Sequence, residues 1–252
     1  MTKQISTVCV IGAGTMGSGI AAQVANAGGR VLLLDIAAGE GSRNAVTEKA
    51  LERIAKSDPP LLMKPGNIER IAIGNIEDDL AKVKGCDWIV EAIVERLDIK
   101  RNLYRALLPH LKEGALVSSN TSTIPIALLM EDMPDALRKR FCITHFFNPV
   151  RYMRLLELVR GEETEDAVID TLARYNDEAL GKGVVRCGDT PGFLGNRVGV
   201  FAMQAAIHEA MELGIDIEDA DAVFGRPMGI PKTGAFGLYD LIGVDLMADV
   251  VR

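Results

Sequence analysis

A positive charge excess, paired cysteines and long apolar runs are what this sequence lacks. Its 28 Lys and Arg face 35 Asp and Glu, a formal charge of -7, so the basic surface that nucleic acid requires is missing. An anionic ligand must be met by local positive groups rather than by the overall field. The four cysteines, Cys9, Cys86, Cys142 and Cys187, stand far apart in sequence. No Cys-x-x-Cys pair, metal-ligand spacing or disulfide framework follows from them. Three lie in apolar runs, where a thiol acts as a small hydrophobe. Reduced, structural cysteines in a reducing, cytoplasmic setting are the expectation. No apolar stretch reaches transmembrane length, so no membrane partner is expected. The first strand begins near Thr7, so no signal or transit peptide is expected. Repeats, low-complexity tracts and blocks of like charge are missing too.

What is present is an ordinary globular composition, 48% hydrophobic and 25% charged over 252 residues, enough for one large domain or two smaller ones. Thr7 to Ile11 reads as a buried strand, Met16 to Ala27 as a helix stopped by Gly28-Gly29, and Arg30 to Asp35 as a second strand. Together they form a βαβ unit. A helix over Ala45 to Lys56, a turn at Lys64 to Asn67, a weak strand over Arg70 to Gly74 and a short helix over Glu77 to Lys84 follow. Strands are expected at Trp88 to Ala92, Ala115 to Ser119, Phe141 to His145, Leu155 to Val159 and Val184 to Cys187. Helices are expected over Leu97 to Leu111, Ile124 to Leu129 and Glu165 to Leu180. Strand and helix alternate, so the class is α/β with a mostly parallel sheet.

After Asp189 the pattern turns helical. Gly195 to Leu213, Ile217 to Phe224 and Phe236 to Arg252 read as helices. The expected boundary falls at Thr190-Pro191-Gly192, with one domain over 1–189 and a smaller all-helical one over 190–252. Leu241 to Arg252 is amphipathic and stops without a glycine cap, which suggests a second domain cut inside a longer protein.

Gly12-Ala13-Gly14-Thr15-Met16-Gly17 follows the first strand and opens the first helix. A bare glycine triplet of this spacing is weak. Its position, with Asp35 closing the next strand 23 residues after Gly12, makes it a dinucleotide fingerprint in a Rossmann-type doubly wound fold. Gly12 permits the tight turn, Gly14 the approach of a pyrophosphate, and Gly17 close helix–strand packing. The helix N-terminus offers N–H donors to the phosphates. Asp35 would bind the ribose hydroxyls and repel a 2′-phosphate, which favours NAD over NADP. The alternative is a structural glycine turn in some other doubly wound domain.

Three histidines are candidates for acid–base work. His110, between Pro109 and Lys112, reads as a solvated surface residue, and His208 beside Glu209 as a packing or surface residue. His145 ends a strand in Thr144-His145-Phe146-Phe147-Asn148-Pro149, where open α/β sheets border their ligand crevice. Oxidising a secondary alcohol requires a base for the hydroxyl proton, and an imidazole suits that. Glu157, in an apolar strand, is costly to bury without a partner. A bond to His145 would satisfy it and fix the tautomer; otherwise it lies on a solvated strand face.

At these residues the chain resembles the L-3-hydroxyacyl-CoA dehydrogenases, most closely the dehydrogenase part of multifunctional fatty-acid oxidation proteins. The matches are Gly12 to Gly17, Val90-Glu91-Ala92-Ile93-Val94-Glu95, Ser119-Asn120-Thr121-Ser122, His145 to Pro149 with Glu157, and Asp189-Thr190-Pro191-Gly192-Phe193 with Asn196-Arg197. The resemblance implies NAD-dependent oxidation of a 3-hydroxyacyl-CoA to a 3-ketoacyl-CoA in β-oxidation. It makes His145 the base, Glu157 its partner, and Ser122 and Asn196 ligands of the reacting oxygen. It implies cofactor contacts from Gly12, Gly14, Thr15, Met16, Gly17, Asp35, Glu95, Lys100, Ser122 and Asn148. Ser42, Arg43 and Lys49 become candidates for coenzyme A, against their reading as a solvated helix face. By themselves Ser122 and Asn196 read as helix caps, and Glu95 and Lys100 as a solvated, charged helix start. No metal is implied. A homodimer, or pairing with a missing C-terminal region, is the implied assembly.

The chain also departs from the short family members. Arg151-Tyr152 follows Asn148-Pro149-Val150, and the Arg226 to Gly234 stretch is long. The competing readings are a dehydrogenase of a free sugar acid or 3-hydroxy acid, and a non-catalytic NAD-binding module. A 6-phosphogluconate-type enzyme would need a lysine base, for which no matching context is apparent.

Overall fold

The computed structural model describes residues 5–230 and 232–243. The chain divides into two compact units after Pro191. In the first, β1 (Thr7–Ile11), α1 (Thr15–Asn26), β2 (Arg30–Asp35), α2 (Ala45–Lys56), β3 (Ile71–Asn75), β4 (Trp88–Glu91) and α3 (Leu97–Leu107) come first. They are followed by β5 (Leu116–Ser119), α4 (Ile126–Met130), α5 (Asp135–Arg138), β6 (Phe141–Phe146), β7 (Leu155–Arg160), α6 (Asp166–Arg174) and β8 (Gly183–Cys187). The strands form one sheet in the order β3-β2-β1-β4-β5-β6-β7-β8. All neighbours pair in parallel except β6 and β7. This is the doubly wound, mostly parallel sheet expected from the alternation.

The central strands carry the core. Val8, Cys9, Val10 and Ile11 of β1 are all fully buried, because helices cover both faces of a parallel sheet and leave no polar side. Ile20, Ala21, Val24 and Ala25 of α1 pack on the face that carries Val8 and Val10. Gly28, at φ +86°, ends that helix in the backbone region where glycine is favoured. The chain then adds β2 and β3 on one side of β1 and returns to place β4 on the other. That reversal lies between β1 and β4, where doubly wound sheets open a crevice at their carboxyl ends.

Several boundaries differ from expectation. The helix expected to run to Leu111 stops at Leu107 and tightens into a 3-10 turn, Leu108–His110; Pro109 lacks the N–H that an α-helix needs. The helix expected from Ile124 begins at Ile126 behind Pro125, since a residue before proline avoids helical geometry. The expected 165–180 helix is α6 followed by a single π turn, Tyr175–Ala179. The expected turn at Lys64 and helix at Glu77 are 3-10 segments, Pro65–Arg70 and Leu80–Gly85.

The second unit holds α7 (Gly195–Leu213), α8 (Ile217–Val223) and α9 (Phe236–Ile242), with no strand among the described residues. Met203 and Ala235 form its small core with Val200, Ile207, Phe224 and Tyr239. The Asp221 carboxylate accepts the N–H groups of Phe236 and Gly237 at 2.8 Å each, which satisfies the first donors of α9. Of the helix expected over Phe236 to Arg252, the part after residue 243 lies outside the described residues, with most of the amphipathic Leu241 to Arg252 run.

Candidate active site

The glycine turn occupies the reversal between β1 and β4. A Cβ on Gly12 would sit 2.3 Å from the Ala92 carbonyl oxygen, and Gly12 has φ +105°. Only glycine lets the two strand ends approach backbone to backbone there. A Cβ on Gly17 would sit 1.7 Å from the Gly12 oxygen, so the helix starts against the turn with no room for a side chain. Gly14 is the reverse case: its Cβ would meet nothing within 4 Å. The turn is therefore bare above Gly14, at the N-cap of a 12-residue helix with no acidic residue in its first turn. The first N–H groups of a helix have no acceptor within it, and those here belong to the turn Thr15-Met16-Gly17. An anionic phosphate fits this cradle.

Asp35 stands beside the turn. Its Oδ2 accepts the Ala13 N–H at 2.5 Å and its Oδ1 the Ile36 N–H at 2.7 Å. The carbonyl of the same Ala13 accepts from Ser18 Oγ at 3.0 Å and from the Arg53 guanidinium. Arg53 also reaches Ser18 Oγ at 2.8 Å. Sequence reasoning missed Arg53, because it stands in an ordinary run of charged positions on α2 and only packing turns it toward the turn.

His145 and Glu157 are directly opposite in the antiparallel β6–β7 pair. His145 Nδ1 lies 2.7 Å from Glu157 Oε2. Glu157 is wholly buried and His145 is 7% exposed, so the reading of Glu157 on a solvated strand face is overturned. The Phe147 ring tilts against the imidazole at 4.6 Å between centroids. Exposed Asn148 follows. The Phe146 N–H donates to Asn120 Oδ1 at 3.0 Å, which ties the end of β6 to the Ser119 to Ser122 stretch after β5.

That stretch corrects two further expectations. Ser122 does not cap α4. The Thr121 hydroxyl oxygen accepts from Ile124 N–H at 3.0 Å and Thr123 N–H at 3.3 Å. The N–H of Ile126 goes to Asp189 Oδ2 at 2.8 Å. Ser122 is instead half-buried, and its N–H points to Glu95 Oε1 at 3.3 Å. Glu95 is exposed, as a solvated helix start requires, but Lys100 is buried. The Lys100 side chain is 1% exposed, and its ammonium lies 2.6 Å from Glu91 and 3.2 Å from Glu95. Burial works against the charge of Glu95. The Thr121 and Thr123 hydroxyls and Lys100 outweigh it and hold the carboxyl below the usual carboxylate value.

Asn196 is the second residue of α7, whose cap position is Leu194 with no side-chain cap bond, so Asn196 is not its cap. Ser42 Oγ donates to Glu48 at 2.6 Å, and Arg43 is held by Asp78 at 2.6 Å and Glu77 at 2.9 Å. Lys49 is exposed on α2. These three follow β2, which lies on the opposite side of β1 from β6 in the sheet. His110 is half-buried and His208 exposed, 3.2 Å from Glu212. Cys9 and Cys86 are both free, buried thiols. Among the described residues no His, Cys, Asp or Glu cluster is placed to hold a metal, and no helix is long and apolar enough to cross a membrane.

Fold and crevice together define a dinucleotide-binding α/β protein of the doubly wound type. Residues 7–190 match the NAD binding domain of 3-hydroxyacyl-CoA dehydrogenase, and residues 192–252 match its C-terminal domain. The chain belongs to the 3-hydroxyacyl-CoA dehydrogenase family. A Rickettsia felis protein named as a trifunctional enzyme of a fatty acid oxidation complex is 46% identical over 98% of this chain and 34% of its own length. A Deinococcus radiodurans protein that carries the name 3-hydroxyacyl-CoA dehydrogenase is 39% identical, over 98% of this chain and 72% of its own. The 3-hydroxybutyryl-CoA dehydrogenase of Escherichia coli superposes with a TM-score of 0.83 at 30% identity, covering 98% of this chain and 52% of that one. The chain spans about a third of the length of the first curated relatives it matches.

Proposed function

We propose that this chain catalyses NAD-dependent oxidation of a 3-hydroxyacyl-CoA to the 3-ketoacyl-CoA, as a step of fatty-acid β-oxidation. The observation that carries this reading is the buried His145–Glu157 pair at the carboxyl end of β6, in the sheet whose β1–β4 reversal holds the glycine turn. A carboxylate at Nδ1 favours the imidazole tautomer with hydrogen on that nitrogen, which leaves Nε2 as the basic one. His145 takes the substrate hydroxyl proton through Nε2, and Glu157 stabilises the imidazolium that results. Ser122 and Asn196 are the proposed ligands of the reacting oxygen. Gly14, Thr15, Met16 and Gly17 would hold the NAD pyrophosphate, Asp35 its adenine ribose, and Glu95, Lys100, Ser122 and Asn148 its nicotinamide half. NAD, when bound, accepts the hydride from carbon 3. Ser42, Arg43 and Lys49 remain candidates for coenzyme A; the ion pairs of Arg43 must open for it to serve.

The domains proposed are 1–189 and 190–252. Phe201, Met211 and Leu213 of α7 are strongly exposed apolar side chains, which supports pairing with a second copy or with a further C-terminal region. A cytoplasmic setting remains the proposed one.

Following NADH consumption with acetoacetyl-CoA tests the activity. NADH consumption with acetoacetyl-CoA is expected, and no NADH formation from NAD with free sugar acids or 3-hydroxy acids. The reverse preference would replace the substrate class, and NADH binding without any turnover would leave a non-catalytic module.

A further inference from the structure

The carboxyl end of β4 buries a charged group that the proposed reaction does not use. Glu91 is the last residue of that strand and is wholly buried. A bare carboxylate there would be expensive, and this one is surrounded by donors. Its Oε1 accepts the Ile93 N–H at 2.8 Å and the Lys100 ammonium at 2.6 Å. Its Oε2 accepts the Tyr104 hydroxyl at 2.6 Å and the Ser119 hydroxyl at 2.7 Å. Two bonds on each oxygen are the full complement of a carboxylate. Lys100 and Tyr104 are four residues apart on α3, hence on one face of it, and both are directed at Glu91.

The Lys100 ammonium also lies 3.2 Å from Glu95 Oε2, so one cation bridges two carboxylates. The other oxygen of Glu95 gathers the turn after β5. It accepts the Thr121 hydroxyl, the Thr123 hydroxyl at 3.0 Å and the Ser122 N–H at 3.3 Å. A continuous chain of charge-assisted bonds therefore runs from the end of β4, through α3, to the turn that carries Ser122. Such bonds are short and directional, and a shift at one end is passed to the other.

We propose that Glu91 is a positioning residue for the reacting site: it fixes Lys100, Lys100 fixes Glu95, and Glu95 holds the turn bearing Ser122. The inference rests on the reading of Glu95 and Ser122 as site residues. A glutamine at 91 keeps the volume but replaces one acceptor by an NH2 group. That group meets either the Lys100 and Ile93 donors or the Tyr104 and Ser119 hydroxyls, and one pair loses its acceptor. Lys100 then leans on Glu95 alone, and the turn moves with it.

The test uses the full chain with Glu91→Gln, Glu95→Gln, the double variant and Tyr104→Phe, which removes one donor to Glu91 at nearly constant volume. Melting temperature, the dissociation constant for NADH by its fluorescence, and kcat and KM for acetoacetyl-CoA are measured. Glu91→Gln should lower kcat by about 10²-fold, the cost of a small misplacement, and raise the NADH dissociation constant several-fold. In the Glu95→Gln background the same substitution should add little, because residues acting through one another are not additive. Losses that add fully, or a folded Glu91→Gln with unchanged kcat and NADH affinity, overturn the proposal. If Glu91→Gln does not fold, Tyr104→Phe decides: a several-fold loss of NADH affinity supports the proposal and an unchanged affinity overturns it. Absence of wild-type turnover would sink the family-based activity instead, and the NADH affinities would still decide the role of Glu91.

Discussion

His145 and Glu157 meet because the two strands that carry them pair antiparallel in a register that sets residue 145 directly opposite 157. The 2.7 Å bond between Nδ1 and Oε2 is a cross-strand contact on a buried face, and a slip of one residue in the pairing would turn the two side chains to opposite faces.

His145→Gln removes the base and keeps the fold's shape. Turnover should fall by about 10² to 10⁴-fold, the usual share of general base catalysis, with NADH affinity retained. Glu157→Gln should lower kcat less and lower stability too, since it leaves a buried imidazole opposite an amide. Steady-state kinetics and NADH titration check both. Full activity in His145→Gln would remove the assignment of the base.

The three glycines of the turn should fail in different ways. Gly17→Ala drives a methyl group onto the Gly12 carbonyl, so the melting temperature should drop sharply. Gly14→Ala meets open space at a φ of -67° that alanine tolerates. It should fold with an unchanged melting temperature yet bind NADH at least about tenfold more weakly, because the methyl stands where the backbone must approach the pyrophosphate. Wild-type NADH affinity in Gly14→Ala would place the dinucleotide elsewhere.

Asp35→Ala should weaken NAD binding and narrow the preference over NADP. The carboxylate both offers acceptors to ribose hydroxyls and repels a 2′-phosphate. Its loss also frees the Ala13 N–H that it now holds at 2.5 Å, so some loosening of the turn accompanies the change in specificity. Comparing kcat/KM for the two cofactors measures this, and an unaltered ratio would count against the role.

Acid stability should depend on Asp87, which receives the Ser6 and Thr7 N–H groups at 2.9 and 3.0 Å and the Lys112 ammonium at 2.5 Å. Burial tends to raise its pKa, but Lys112 and the N-terminal donors prevail and bring it down to about 2. A carboxyl depressed in the folded state stabilises above its unfolded value of about 3.9, worth about 2 kcal/mol. That contribution fades as pH falls toward 2. Urea unfolding between pH 5 and 2 should show a steeper loss in the wild type than in Asp87→Asn. Equal slopes would mean that Asp87 is not a determinant.

The sequence alone determined the βαβ unit, the glycine turn and the acid that closes β2. Each depends on neighbours within about twenty residues: apolar runs of strand length, a positive φ that only glycine takes easily, and a helix start that follows at once. The alternation of elements determined the class of sheet for the same local reason. Tertiary structure decided the rest. Lys100 has the sequence surroundings of a surface residue and is buried only because α3 lays it against Glu91. Glu157 could have lain in solvent until the register of β7 set it behind His145. Asp189, not Ser122, satisfies the start of α4, and Thr121 holds the turn before it, because the turn after β5 folds toward Glu95. Strand register and helix rotation assign a charged side chain to the interior or the surface, and both are set by packing between segments distant in sequence.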